Sequence, residues 1–159
     1  SMAPCMNAMI KETITISPDA TVKEAIDIFA KHNIRNVPVV DDKGNFVGLF
    51  GLKEVLQNIL PMAAKLGEGL PTMEFLHGGA EDVAKKLRKS HIHRVGDIMN
   101  KKAEAIDSDS ATWEALRFMV YQGSPVPVVE PNSKKFVGMI SRQTLLTELD
   151  RIAENITKK

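Results

Sequence analysis

Two histidines separated by one residue, His91 and His93, are the side chains whose types and spacing most suggest metal binding. Alternate residues of an extended segment share one face, so both imidazoles could reach one ion, and His77 lies nearby in the sequence. A stable site needs three or four ligands with supporting hydrogen bonds, and no cysteine or clear carboxylate partner accompanies the pair. We therefore interpret residues 91–94 as solvated linker and expect no metal site.

The remaining reactive or aromatic side chains have structural interpretations. The acidic run Asp107–Ser110 offers only two carboxylates, so it is interpreted as a turn and helix start rather than a cation site. Cys5, the one cysteine, cannot form an internal disulfide, and we expect it in a mobile N-terminus without a histidine to activate it. Trp113 and Tyr121 lie on a predicted helix, where we expect them to pack in the core.

Composition and missing motifs exclude several classes of function. The chain has no P-loop, no G-x-G-x-x-G after a strand, no G-x-S-x-G elbow and no H-E-x-x-H, so we expect no catalytic residues. Its 159 residues are 43% hydrophobic and 26% charged, as in a globular domain, and the formal net charge of +1 gives no reason to expect nucleic acid or membrane binding. No apolar run approaches the ~20 residues of a membrane span, and no secretion signal is found. We expect a cytoplasmic protein.

An internal repeat organises the chain, because residues of its first part recur about 90 positions later. The matching pairs are Met9 with Met99, Ile16 with Ile106, Glu24-Ala25 with Glu114-Ala115, Val37–Val40 with Val126–Val129, and Phe46–Gly48 with Phe136–Gly138. One residue is lost before the V-P-V-V segment and one is gained after it, in predicted loops that absorb such changes cheaply. The chain is therefore predicted to contain two copies of one unit.

Each copy has the pattern of a β-α-β-β-α unit. In the first copy the β-branched run Thr13–Ile16 predicts a strand, and Thr21 and Glu24 have the spacing of a capping box before an amphipathic helix that ends near His32. Strands over Val37–Val40 and Phe46–Phe50 and a helix over Leu52–Leu60 follow. The second copy predicts a strand at Ala105–Ile106, a helix over Thr112–Tyr121, strands Val126–Glu130 and Phe136–Ile140, and a helix from Gln143.

The repeats define three parts of the chain. We expect the first repeat over residues 1–60, a helical insert or linker over 61–94, and the second repeat with an extended C-terminal helix over 95–159. Met73, Phe75, Leu76, Val83 and Leu87 predict two short helices of the insert, packed outside the core. The apolar stripes Leu52–Leu60 and Leu145–Ile156 predict the interface of a homodimer.

The repeated order of Met, strand, turn, helix, V-P-V-V, turn, F-V-G and helix resembles a tandem pair of cystathionine-β-synthase (CBS) domains, the Bateman module. The resemblance covers residues 6–58 and 95–150. It implies an α+β fold of two three-stranded sheets related by a pseudo-two-fold axis, with helices outside and two clefts between the copies. It also implies a homodimer that binds a regulatory adenosine-type nucleotide, such as AMP, ADP, ATP or S-adenosylmethionine.

In this family the ligand is held by a G-h-h-T/S-x-x-D segment at the start of the last helix, and both copies depart from it. The first copy has Gly51 at the hydroxyl position and Glu54 in place of the aspartate. The second copy keeps a hydroxyl at Ser141 but has Thr144 in place of the carboxylate. Each copy therefore keeps half of the chemistry, since a carboxylate suits ribose and a hydroxyl suits phosphate.

The resemblance distributes the candidate residues over two clefts. Cleft A would contain Ile14, Ile34, Arg35, Asn36, Ser141, Arg142 and Thr144, and cleft B would contain Gly51, Glu54, Gly123, Ser124 and Pro125. Cleft A is favoured for an anionic nucleotide, because Ser141 begins a helix with Arg142 beside it and Arg35 opposite. The alternative is that Ser141 and Glu54 are only helix-capping residues.

Three functions are compatible with this sequence. The first is a nucleotide sensor whose state is recognised by an unknown protein partner. The second is a ligand-free scaffold for dimerisation or interaction, which clefts filled by their own side chains, such as Phe50 or Met139, would favour. The third is the regulatory part of a larger enzyme or transporter system, as in inosine-monophosphate dehydrogenase.

Overall fold

The structure, a computed structural model, describes residues 4–60 and 79–158. A short 3₁₀ helix at Cys5–Ala8 precedes the helices α1 (Val22–His32), α2 (Leu52–Ile59), α3 (Gly79–Ser90), α4 (Val95–Ile98), α5 (Thr112–Gln122) and α6 (Arg142–Thr157). The strands are β1 (Asn36–Val40), β2 (Phe46–Gly51), β3 (Ile106–Asp107), β4 (Val126–Val129) and β5 (Phe136–Ile140). The α+β fold with two repeats is confirmed, and the strands and helices predicted within the repeats after the first strand differ from the observed ones only at their ends. Of the two helices predicted for the insert, the described residues contain one, α3.

The first predicted strand, Thr13–Ile16, is wrong, because only Ile16 pairs, through a parallel bridge to β1. The pairing stops at Ile16 because of the residue two positions later, Pro18. In the second repeat the N–H of Ser108 donates to the Val129 carbonyl at 2.9 Å and extends the pairing of β3. Its counterpart is Pro18, which has no N–H to donate. The first repeat therefore has a two-stranded sheet of β1 and β2, whereas the second has the three-stranded order β3-β4-β5.

Helix α1 begins and ends as its sequence predicts. The Glu24 N–H donates to Thr21 Oγ1 at 3.2 Å, and the Thr21 N–H donates to Glu24 Oε2 at 3.0 Å, which completes the capping box. The helix ends at Asn33, whose φ of 50° is left-handed, a conformation that asparagine tolerates better than most residues. Strand β1 begins three residues after this turn, at Asn36.

Each repeat packs against the segment that begins the other repeat in the sequence. We call residues 4–10 and 95–100 the leading segments. Ile10 and Met139 exchange backbone hydrogen bonds of 2.7 and 3.0 Å, which fix the first leading segment on the second repeat. Leu49 and Asn100 exchange bonds of 3.2 and 2.8 Å, which fix the second leading segment on the first repeat. The core of the first repeat accordingly contains Val95, and the core of the second repeat contains Cys5 and Ala8.

The prediction that Cys5 lies in a mobile N-terminus is wrong. Its side chain is fully buried in the core of the second repeat, and its N–H donates to the Ser110 carbonyl at 2.7 Å. Burial raises the pKa of the thiol to about 11. Sequence periodicity could not reveal this position, because the contact joins residues more than a hundred positions apart.

We expect Cys5 to resist alkylation in the native protein, because the thiolate is the reacting form and a pKa of about 11 leaves roughly one thiol in a thousand ionised near pH 8. Iodoacetamide labelling followed by mass spectrometry tests this. The label should appear in denaturant and stay absent under native conditions. Native labelling as fast as that of a free thiol would contradict the placement of the leading segment.

The two hairpins meet tip to tip at the pseudo-two-fold axis. Asn45 and Lys135 occupy equivalent positions of the two repeats and form a bridge with each other. The Phe136 N–H also donates to the Gly44 carbonyl at 2.9 Å. Contacts between equivalent residues occur where a rotation axis passes, so the hairpin tips mark the axis. Both clefts between the repeats are arranged around it.

The linker after α3 holds the N-terminus of α1. The carbonyls of His93 and His91 accept hydrogen bonds from the Val22 and Lys23 N–H groups at 2.9 and 3.1 Å. Leu87 of α3 packs against the first core. The other predicted insert residues Met73, Phe75 and Leu76, together with His77, lie outside the described residues. Residues 91–94 thus have a structural role through their backbone.

The described residues contain neither a cluster of metal ligands nor a membrane-spanning helix. Residues 4–60 and 79–158 contain no group of three or more His, Cys, Asp or Glu that could hold a metal ion. None of the helices in these ranges combines the length and apolar character that a membrane span requires.

The predicted core positions of Trp113 and Tyr121 are wrong, because these side chains are 56% and 90% exposed. Helix α5 turns Thr112 and Ala115 to the core instead. The residues equivalent to Trp113 and Tyr121 in α1 are Lys23 and Lys31, which also face solvent. Helix α5 therefore presents apolar side chains where α1 presents charged ones.

Candidate functional site

A cavity of about 310 Å³ lies where the first turn of α6 meets the chain before β1 and β4. We call it the inter-repeat cavity. It is lined by Asn33, Ile34, Arg35, Asn36, Ser124, Pro125, Met139, Ser141 and Arg142. Cavities that hold small ligands measure roughly 300–1,000 Å³, so this one is large enough for a ligand of modest size.

The inter-repeat cavity combines residues that the sequence assigned to two clefts. Five of the residues predicted for cleft A line it, namely Ile34, Arg35, Asn36, Ser141 and Arg142. Ser124 and Pro125, predicted for cleft B, line the same cavity. Asn36 explains this convergence, because its Nδ2 donates to the Ser124 carbonyl at 3.4 Å and holds the two loops together.

Five other candidates lie elsewhere. Gly123 ends α5 and is not among the residues that line the inter-repeat cavity. Ile14 packs against the core of the first repeat. Thr144 lines a different cavity, beside Asn7 and the buried Glu148. Glu54 lines a further cavity with charged neighbours, including Lys53 and Asp97. Gly51 lies against the backbone of Arg35 and is not among the residues that line the inter-repeat cavity.

Ser141 is the N-cap of α6 as well as a wall of the cavity. Its Oγ accepts from the Thr144 N–H at 3.1 Å, and Thr144 Oγ1 accepts from the Ser141 N–H at 3.1 Å. The capping alternative is therefore true of Ser141, and the same residue lines the cavity. The N-terminus of a helix carries partial positive charge, and the guanidinium groups of Arg35 and Arg142 add to it. Among the described residues that line the cavity, none is acidic.

Glu54 has the corresponding capping role in α2. Its Oε1 accepts from the Gly51 N–H at 2.9 Å. The side chain is half-buried, and desolvation raises the pKa of this carboxyl above its ordinary value despite that hydrogen bond. Glu54 therefore serves its own helix, and the structure brings it to neither Ser124 nor Pro125.

Two lining residues were not among the predicted site residues. Asn33 reaches the cavity because it ends α1 in a left-handed conformation, and an asparagine after an amphipathic helix was the available signal. Met139 lines the cavity without filling it, while Phe50 is fully buried in the first core. Phe50 and Met139, the side chains that could have filled a cleft in a ligand-free scaffold, therefore leave space for a ligand.

Comparison with known proteins identifies the repeats. A family model of the CBS domain matches residues 5–61 and 95–151. A CBS domain-containing protein of Dictyostelium discoideum is 29% identical over 149 residues, which span 93% of this chain and 92% of that protein. An inosine-5'-monophosphate dehydrogenase of Nitrosopumilus maritimus is 32% identical over 106 residues, which span 66% of this chain and 21% of the enzyme.

Solved structures share the whole fold. The CBS-pair protein CBSX2 of Arabidopsis thaliana aligns with a TM-score of 0.70 at 18% identity, over 97% of this chain and 99% of its own. CBSX2 has also been solved in complex with AMP, and that structure aligns with a TM-score of 0.67. CbpB in complex with c-di-AMP aligns with a TM-score of 0.68 at 13% identity, over 99% of this chain and 91% of its own. This chain belongs to the CBS domain family and contains two CBS repeats.

Proposed function

We propose that this chain is a regulatory module that binds an adenosine-type nucleotide in the inter-repeat cavity. The observation that carries the proposal is the meeting of Arg35 from one repeat with Ser141 and Arg142 from the other at the N-terminus of α6. Guanidinium groups and helix N–H groups bind phosphate oxygens. The apolar surfaces of Ile34 and Met139 offer contacts for a base.

The relatives support this proposal. CBSX2 binds AMP and CbpB binds c-di-AMP in the structures that share this fold. The match to only part of inosine-5'-monophosphate dehydrogenase supports a regulatory rather than a catalytic role. A ligand that touches both repeats favours one relative orientation of them, and a protein partner can recognise that orientation.

Isothermal titration with AMP, ADP, ATP, S-adenosylmethionine and NAD tests the proposal. We expect at least one of them to bind, and Arg35→Ala and Ser141→Ala to weaken its binding about tenfold, since a hydrogen bond to a charged group contributes roughly 1.5–3 kcal/mol. Lys53→Ala, on the first turn of α2, is the control and should bind normally. Ser141→Ala also removes the N-cap of α6, which costs roughly 1 kcal/mol of stability. Thermal melts of the ligand-free variants measure that loss of stability separately from the loss of binding. Unchanged affinity in both variants would remove the inter-repeat cavity from consideration.

We also propose that the module is a homodimer. Leu56 of α2, Leu116 and Val120 of α5, and Leu146 of α6 are between 43% and 79% exposed. Large apolar side chains that are exposed on helix surfaces are typical of interfaces when they form a contiguous patch. A second copy is the simplest partner, because most soluble oligomers are symmetric homo-oligomers.

Leu146→Glu is expected to convert the dimer to a monomer, because the interface would have to bury an unpaired carboxylate. Sedimentation velocity at tens of micromolar, roughly the range of weak association, measures this. Thr147→Glu adds the same charge at the next position of α6 and serves as the control. A wild-type protein that sediments as a monomer at this concentration would contradict the proposal.

A further inference from the structure

The N-terminus of α2 is the counterpart, in the first repeat, of the α6 N-terminus at the inter-repeat cavity. Here the chain itself occupies the position where an anion would bind. The Leu52 N–H, the first of α2, donates to the Arg35 carbonyl oxygen at 3.0 Å. The Gly51 N–H donates to Glu54 Oε1 at 2.9 Å. The Ser141 N–H of α6 is capped in the same way by Thr144 Oγ1, so the α2 N-terminus differs by the Arg35 carbonyl on its first helical N–H. An incoming phosphate would have to displace that carbonyl.

Gly51 permits this closure by its lack of a side chain. A Cβ atom at this position would lie 2.5 Å from the Arg35 carbonyl oxygen and 2.9 Å from Asn36 Oδ1. The φ of Gly51 is −146°, an extended value that any residue can adopt. Close approach of the backbone, rather than an unusual conformation, is therefore what requires glycine here.

The second repeat is built differently at the equivalent positions. Ser141 replaces Gly51, and Pro125 replaces Asn36, which pairs with Gly51 at the end of the hairpin. Proline has no N–H, and β4 begins only after it. The Ser124 carbonyl, the counterpart of the Arg35 carbonyl, accepts from Asn36 Nδ2 and not from the helix. Within residues 4–60 and 79–158, no acceptor takes the Arg142 N–H.

We infer that residues 35–36 close the second of the two pseudo-equivalent sites, so that each chain binds one nucleotide, in the inter-repeat cavity. The inference rests on the proposed function. One short segment has both roles, because its side chains line the cavity while its Arg35 carbonyl blocks α2. Opening the second site would move the residues that form the first. The module therefore responds to the concentration of one bound nucleotide, and not to the relative concentrations of two nucleotides bound at separate sites.

Calorimetric titration of the full chain with AMP and with ATP measures the number of sites. We expect one nucleotide per chain. Arg142→Ala should weaken binding about tenfold, which corresponds to roughly 1.4 kcal/mol. Leu52→Ala is the matched control, because residue 52 is the first residue of α2 as residue 142 is of α6, and it should bind like the unaltered protein.

The possible results separate the two proposals. Two nucleotides per chain, or one shared by two chains, would overturn the inference while leaving the proposed function intact. Equal losses in Arg142→Ala and Leu52→Ala would overturn it as well, because both helix N-termini would then hold ligand. If neither nucleotide binds and the wider panel is also silent, the proposed function fails, and the inference fails with it.

Discussion

Gly138→Val is expected to lower the free energy of unfolding by about 3 kcal/mol, near the upper end of what overpacking costs. A Cβ atom at Gly138 would lie 2.5 Å from the Ile10 carbonyl oxygen and 2.8 Å from Met9 Cγ. The first of these atoms belongs to the backbone and cannot move away without breaking its pairing with Met139. Chemical denaturation followed by circular dichroism measures the loss.

Gly48→Val provides the matched control. Its Cβ would lie 2.9 Å from the Asn100 carbonyl oxygen, so the substitution disturbs the other leading segment. Both variants should lose stability, but only Gly138→Val should release residues 4–10 and make Cys5 react with iodoacetamide under native conditions. Equal labelling of Cys5 in the two variants would show that general unfolding, and not release of one segment, exposes the thiol.

Arg142→Glu is expected to reduce the affinity for AMP about a hundredfold, which corresponds to roughly 2.7 kcal/mol. The substitution removes a cation from the inter-repeat cavity and places a carboxylate beside the N-terminus of α6, where the proposed phosphate binds. Charge-assisted hydrogen bonds and like-charge repulsion both contribute to the loss. Isothermal titration at moderate ionic strength measures it.

Leu52→Glu adds one negative charge at the equivalent position of α2. Because the Arg35 carbonyl already occupies that helix end, we expect the affinity for AMP to stay within about twofold of the unaltered value. A comparable loss in both variants that disappears in high salt would assign the effect to the overall charge of the protein. Such a result would contradict a specific phosphate contact at Arg142.

The secondary structure could be predicted because the local signals agree. The capping box at Thr21, the V-P-V-V strands and the turn residues between them all favour the same elements, and the second repeat provides an independent copy. The packing of each leading segment on the other repeat could not be predicted, since it depends on contacts between residues far apart in the sequence, such as Ile10 and Met139. The exposure of Trp113 could not be predicted either, because helix α5 has apolar residues on more than one face and periodicity alone does not select the buried one.

The candidate site was predictable only in part, for a related reason. Arg35, Ser141 and Arg142 have side chains whose types indicate anion binding, and the structure brings them to one cavity. The closure of the other site uses the backbone carbonyl of Arg35, and a carbonyl carries no signal in the residue type. The one trace in the sequence is Gly51, which occupies the position where the family has a hydroxyl. Its residue type alone does not distinguish a lost ligand contact from space for a backbone carbonyl.

The exchange of leading segments has a consequence for how this architecture can be divided. A fragment that ends at residue 60 carries residues 4–10 but lacks the second repeat on which they pack, and the remaining fragment carries residues 95–100 without their partner. Neither fragment can bury its own leading segment, whereas the two together can restore the Ile10–Met139 and Leu49–Asn100 pairings. The pair, and not the single repeat, is therefore the smallest piece that can be transplanted between proteins, and its halves are suited to reassembly as a split reporter.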